Sequence, residues 1–333
     1  MKNSQEKPIN AEFCAKYQGV KVVVLGASGF IGRWVARALC ECGAKVYLVV
    51  RDRKSAEAIF KQYGVTGSIV EMDLTAGAEE FVELFQKINP AITFNLAGYG
   101  VDRKERDETL SQQINTELVR TLCGVISKVQ DQSWTGQHLV HIGSALEYGI
   151  TDGDLSEDSL PAPTTSYGQT KLAGTRLLSE YNERSHLNGM TARLFTVYGP
   201  GEHDGRLLPA LIGIASNGQS LDLTAGLQER DFTYVSDVAE GLLRIGSTAS
   251  TNTSIVNLAT GHMLAVREFS EIAATSLSIP AEKLNYGAIP TREEEMQHAP
   301  VAVKRFKQLT GWLPQIDVKQ GVRKTVEFLQ SHG

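Results

Sequence analysis

The stretch KVVVLGASGFIGRWVARALCECGAKVYLVV, residues 21–50, constrains the fold more than any other. Its apolar opening run has the length of a strand buried on both faces, and the turn GASGFIG follows directly. Apolar residues then recur at helical spacing until Gly43, and KVYLVV reads as a second strand. Strand, glycine turn, helix and strand make one βαβ unit. Gly26, Gly29 and Gly32 allow a tight turn, approach of a pyrophosphate to bare backbone, and close helix packing. The helix start offers unpaired N–H groups to phosphate, so the turn, with Ser28, Phe30 and Ile31, reads as a dinucleotide site.

The alternation continues. SIVEMDL is a short strand, AEEFVELFQKI a helix, AITFNLAG a buried strand, INTELVRTLCGVISKV a helix and QHLVHIGS another strand. Such a pattern predicts an α/β fold with a doubly wound parallel sheet of the Rossmann type. A polar leader fills residues 1–20, and the cofactor lobe occupies mainly 21–195. A smaller mixed α/β substrate lobe occupies mainly 196–333, where SLDLTAG and SIVNLAT read as short strands among helices, with chain crossings expected between the lobes.

The chain has 333 residues, 42% of them hydrophobic, enough for one large or two modest domains. The net charge of −5 and the shortness of basic clusters such as RDRK at 51–54 argue against a nucleic-acid partner. No apolar run approaches the roughly 18 residues of a spanning helix, so no membrane partner is expected. MKNSQEKPIN lacks the apolar core of a signal peptide, and a cytoplasmic location is the expectation. Cys14, Cys40, Cys42 and Cys123 are too few and scattered for a disulfide framework. Cys40 and Cys42 point in different directions on one helix and read as packing residues, not metal ligands.

SYGQTKLAG places Tyr167 and Lys171 four apart, on one helix face. A phenol is a poor base at neutral pH until its anion is stabilised. A cation about 4 Å away contributes roughly 1–4 kcal/mol, which lowers the phenol pKa by about one to three units. Tyr167 then becomes usable for proton transfer at a sugar oxygen. Ser144 ends a strand in HIGSALEYG, where its hydroxyl can bond the reacting oxygen. Lys171 has a second task in holding the nicotinamide ribose.

The GxxGxxG spacing resembles that of the short-chain dehydrogenase/reductase superfamily. The ordered set GASGFIG, NLAG, HIGSALEYG, SYGQTK, RLFTVYGPGE and RDFTYVSDVAEGL is similar to its extended members, the nucleotide-sugar epimerase/dehydratase family, over residues 21 to about 330. The resemblance implies that Asp73 and Leu74 border the adenine, and that Leu96, Ala97 and Gly98 line the cofactor. It implies that Arg230 and Arg292 grip the nucleotide diphosphate, a job suited to the planar guanidinium fork. Thr196 stands where many relatives carry Asn for a phosphate or sugar. Relatives often dimerise through helices that include the YxxxK helix, so a homodimer is expected.

The end of the second strand selects the cofactor. In the resembling NAD enzymes an acidic residue falls where Val50 stands, and here Arg51 follows at once. Asp52 keeps an acidic alternative open, but Arg51, Arg53 and Lys54 outnumber it, so NADP(H) is favoured and NAD is the alternative.

The family's 4,6-dehydratases carry acidic residues after the hydroxyl residue, because eliminating water needs a base and an acid. Here Ala145 and Leu146 stand there, and Glu147 projects to the other side if strand alternation continues. Two reactions need only hydride transfer at C4 with Ser144, Tyr167 and Lys171. One is reduction of a 4-keto-6-deoxy sugar by NADPH, the favoured reading of this oxidoreductase. The other is 4-epimerisation with tightly held NAD. A non-catalytic NADP-sensing regulator is the alternative from another class.

Overall fold

The structure is a computed structural model describing residues 9–101, 105, 107–129, 131, 133–151, 153–185, 187–291 and 299–332. In chain order the strands are β1 (Lys21–Leu25), β2 (Lys45–Val50), β3 (Ser68–Glu71), β4 (Ile92–Asn95), β5 (Leu139–Ser144), β6 (Gly189–Leu194), β7 (Thr196–Tyr198), β8 (Leu221–Leu223), β9 (Glu229–Tyr234), β10 (Ile255–Leu258), β11 (Met263–Ala265) and β12 (Leu284–Tyr286). The α-helices are α1 (Ala11–Cys14), α2 (Phe30–Glu41), α3 (Arg53–Tyr63), α4 (Ala78–Ile88), α5 (Glu108–Gln112), α6 (Leu118–Val129), α7 (Ser166–Ser185), α8 (Leu207–Asn217), α9 (Val235–Gly246), α10 (Val266–Ser276), α11 (Lys304–Thr310) and α12 (Val318–His332).

Val22 to Leu25 are all buried because β1 has a neighbour on each side and a helical layer on each face. It pairs in parallel with β2 and β4, and the sheet runs β3-β2-β1-β4-β5-β6-β10. The strand order reverses between β1 and β4, the place where open sheets of this kind bind ligands. On one face α2 buries Trp34, Val35, Ala38 and Leu39 against a core shared with α9. On the other, α4 and α6 bury Phe81, Phe85, Leu122 and Ile126.

The placement of one predicted strand is corrected here. SIVNLAT does not belong to the small lobe: it forms β10, which pairs with β6 and extends the large sheet. Val256, Asn257 and Leu258 are buried there, and helix 235–246 packs with them on the cofactor lobe. The small lobe holds instead the sheets β11-β9-β7 and β12-β8, with α8 and α10 around Phe232 and Phe269.

The cysteines and the polar leader also differ from the sequence reading. Phe13 and Tyr17, one helical turn apart, are buried, and the Tyr17 hydroxyl donates to the Leu243 carbonyl at 2.6 Å. That docking lays Cys14 beside the end of α2, where it forms a disulfide with Cys42. The bond depends on a tertiary contact that cysteine spacing does not encode. Among the described residues no helix is long and apolar enough to cross a membrane.

Candidate active site

A parallel sheet sends the C-terminal ends of its strands to one edge. The Gly26 turn, Arg51, Asp73, the Leu96–Gly98 loop and Ser144 follow β1 to β5 or close them, so topology brings them together.

Gly26 has φ +70°, and a Cβ on it would lie 3.0 Å from the Ala97 nitrogen. The turn after β1 therefore touches the loop after β4 directly, and only glycine fits. A Cβ on Gly32 would collide with the Gly26 carbonyl, so α2 rises straight off the turn. Gly29 is the N-cap, and no side chain caps the helix. The first N–H groups of α2, at Phe30 and Ile31, thus receive no bond from a capping side chain, the condition in which a helix start can accept a phosphate. Ser28 contributes its carbonyl inward, to Arg33 Nη2 at 2.8 Å.

At the end of β2, Arg51 is exposed. The Asp52 carboxylate accepts the Ser55 N–H at 2.7 Å as the N-cap of α3, a bond that holds its carboxyl below the usual range. Arg53 is turned away, its Nη2 on the Ile69 carbonyl at 2.7 Å. After β3, the Asp73 carboxylate accepts from the Thr75 N–H and hydroxyl, so it builds a local turn beside Leu74. Leu96 continues the sheet through its N–H to the Leu25 carbonyl, Ala97 is buried, and Gly98 lies beside Asn115.

Tyr167 and Lys171 lie on α7. A Cβ on Gly168 would collide with the Leu146 carbonyl, so this glycine seats α7 against the turn after Ser144. Ser144 is among the groups that act on the Tyr167 phenol. Burial pushes the Tyr167 phenol above its ordinary range, the Glu147 and Glu105 carboxylates push it further, and Ser144 and Arg206 act the other way. Burial pushes Lys171 down to about 8, opposed by Glu147. Lys171 also helps burial keep the imidazole of His141 neutral. The expected lowering of the phenol pKa by Lys171 is thus not found among the protein's own groups, where burial and two carboxylates outweigh it.

Glu147 is a second correction. Strand alternation stops at Ser144, and Ala145–Glu147 form a 3-10 turn. The turn folds the Glu147 carboxylate back beneath the serine, where it accepts the Ser144 N–H at 2.8 Å. It also pairs with Arg193 Nε at 3.0 Å, both side chains being buried. The S-x-x-E spacing of a capping box at 144–147 is the sequence signal that could have found this turn.

Sequence reasoning also missed Asn115. In a π-helical turn at Gln113–Glu117, its amide donates to the Tyr99 carbonyl and to the Ser111 and Thr170 hydroxyls, tying the loop after β4 to α7. A lone Asn inside an apolar helical pattern was the only hint. The charges of Arg206 and Glu105 act on Tyr167 from separate loops, and nothing local in the sequence points to them.

On the substrate side, Thr196 opens β7 just beyond the edge of the large sheet and pairs in register with Phe232. Arg230 lies on the same small sheet, opposite Leu264, with Nη1 on the Glu229 carbonyl at 2.7 Å. Arg292 lies outside the described residues.

The chain is similar to known proteins over nearly its whole length. The chain is 27% identical to the dTDP-6-deoxy-L-talose 4-dehydrogenase (NAD(P)(+)) of Kitasatospora kifunensis, over 91% of this chain and 94% of that one. It is 26% identical to the UDP-glucose 4-epimerase of Mycolicibacterium smegmatis, over 94% of this chain and 99% of that one. The crystal structure of UDP-glucuronic acid 4-epimerase from Bacillus cereus in complex with NAD superposes with a TM-score of 0.79 at 21% identity, covering 94% of this chain and 97% of that one. Residues 22–259 match the family as a whole, and the chain belongs to the NAD dependent epimerase/dehydratase family.

Proposed function

We propose that the protein reduces the C4 carbonyl of a nucleotide-activated 4-keto-6-deoxy sugar, with NADPH held at the glycine turn. The observation that carries this reading is the setting of Tyr167. Gly168 seats α7 against the Leu146 carbonyl in the turn after Ser144, so the phenol that gives the proton and the serine that orients the oxygen come from adjoining elements, and Ala145 and Leu146 offer no acid or base for elimination. Tyr167 donates that proton to the C4 oxygen while Ser144 orients the oxygen by a hydrogen bond. Lys171 holds the ribose and adds positive charge next to the phenol as it loses its proton. The bound cofactor supplies the hydride. In this reading Arg230 binds the nucleotide diphosphate, Thr196 a phosphate or the sugar, and Arg51 the 2′-phosphate of NADP, while Arg292 is assigned to the diphosphate on the family resemblance alone. The talose 4-dehydrogenase named above fits this reading.

The second reading, 4-epimerisation with tightly held NAD, has support in the 4-epimerase that matches over nearly its whole length. Ala145 and Leu146 lack the acid and base of a dehydratase, and a non-catalytic sensor has no use for the Ser144, Tyr167 and Lys171 grouping. The working unit in this reading is a homodimer, a point that light scattering checks.

The test is mass spectrometry of cofactor released from freshly purified, denatured protein, with NADPH and NADH titrations alongside. Protein that comes empty and prefers NADPH supports the reductase, as does oxidation of NADPH with a 4-keto sugar nucleotide that Tyr167→Phe abolishes. Stoichiometric bound NAD overturns it in favour of the epimerase.

A further inference from the structure

Beneath the reacting groups lies a buried ion pair that the reaction itself does not call for. Glu147 is fully buried and Arg193 nearly so. One carboxylate oxygen accepts the Ser144 N–H at 2.8 Å, and the other meets Arg193 Nε at 3.0 Å. Space for it comes from Gly143, where a Cβ would lie 2.6 Å from Glu147 Oε1. The Arg193 guanidinium stacks over the Tyr148 ring at 4.4 Å, and the Tyr148 hydroxyl donates to Asn257 at 2.7 Å. Three strands, β5, β6 and β10, thus hold the carboxylate in place.

A buried ion pair is a weak source of stability, since desolvation offsets most of its Coulomb gain. Its geometry has a clearer consequence at Ser144. The Ser144 hydroxyl oxygen accepts the Leu146 N–H at 3.2 Å, the reciprocal half of the capping box. With that oxygen engaged, the hydroxyl proton is left to point at Tyr167 or at the substrate oxygen.

We propose that Glu147 is a positioning residue of this site: held by Arg193, it clamps the Ser144 backbone from below and so aims the Ser144 hydroxyl at Tyr167. The inference rests on the Ser144, Tyr167 and Lys171 reading given above. The charged groups around the pair are Lys171 and Tyr167 on α7, with the charges of Glu105 and Arg206 acting on Tyr167 from two loops.

The test reads Tyr167 without any sugar. Protein carrying ζ-13C-tyrosine gives a Tyr167 resonance, assigned by its loss in Tyr167→Phe, recorded alone and with saturating NADP+. Glu147→Asp keeps the charge beside Arg193 but shortens the reach to Ser144. It displaces the Tyr167 resonance markedly more when Ser144 is present than in a Ser144→Ala background, where only the direct field of the carboxylate remains, the mark of a residue acting through another. Gly143→Ala pushes the same carboxylate aside by a different route and gives the same pattern. A folded Glu147→Asp protein with an unmoved resonance overturns the proposal, and so does an equal displacement with and without Ser144. Where a 4-keto sugar nucleotide is turned over, Glu147→Asp lowers kcat roughly tenfold with Ser144 and less than about twofold without it. Failure of every sugar assay would sink the proposed activity and leave the resonance test standing.

Discussion

The Trp34 indole N–H donates to the Pro200 carbonyl at 2.9 Å, joining the helix of the glycine turn to the loop that leads into the small lobe. Next to it, the Arg33 guanidinium holds the Ser28 and Gly29 carbonyls and lies 5.0 Å over the Tyr63 ring. A Cβ on Gly201 would touch both Arg33 and Tyr63, so the two loops pack without a gap. The glycine turn with its helix and the loop into the small lobe are therefore fixed to each other.

Trp34→Phe leaves the Pro200 carbonyl without its buried donor, at a cost of about 1–3 kcal/mol. Urea unfolding should show a midpoint lowered accordingly. An unchanged midpoint would mean that the carbonyl finds another donor.

Lys171 should make stability depend on pH. It loses its proton at about 8 in the folded chain against 10.5 in the reference state, so between those values the unfolded chain binds more protons. Stability then rises with pH across that window, and the full penalty stands below about 8. Lys171→Met should stabilise the protein at pH 7 by on the order of 1–3 kcal/mol and remove the rise, while weakening cofactor binding. Parallel pH-stability curves for variant and parent would contradict this.

Glu202 acts in the opposite window. Burial raises its carboxyl from 4.5 to about 7, and Oε2 has no hydrogen-bond partner among the described residues. Between those values the folded chain binds more protons, so stability falls as pH rises and the penalty is complete above about 7. Glu202→Gln should gain about 1–3 kcal/mol at pH 8 and nothing at pH 4. Thermal unfolding at the two pH values decides it.

Arg51 and Asp52 should separate cleanly. Arg51→Ala should weaken NADPH about tenfold or more with little effect on NADH, the loss of one charge-assisted phosphate contact. Asp52→Ala should cost about 1 kcal/mol of stability through its cap and leave NADH binding nearly intact. A loss of NADH affinity in Asp52→Ala would instead place its carboxylate on the ribose.

The glycine turn, the α7 pair and Ser144 were legible because each rests on local spacing within one element or at its end. The parallel sheet was legible for the same reason, as repeated buried strands between helices. Glu147 was misplaced because strand alternation was carried past Ser144, although the capping-box spacing was there to be read. The Cys14–Cys42 bond and the action of Arg206 on Tyr167 join segments far apart in the chain, which no local period records. The pKa of Tyr167 was judged from one neighbour, when burial and two carboxylates decide it.

Because β10 closes the large sheet only after the chain has passed through β7, β8 and β9, the lobe cannot be completed during synthesis until residue 258 has left the ribosome. Until then β6 is a bare, wholly buried-type edge with no strand beside it, the kind of surface that recruits other chains. A fragment ending at residue 195 should therefore aggregate rather than fold as a free-standing nucleotide-binding unit. The sheet that carries the glycine turn therefore owes its last strand to chain made after the first strands of the small lobe.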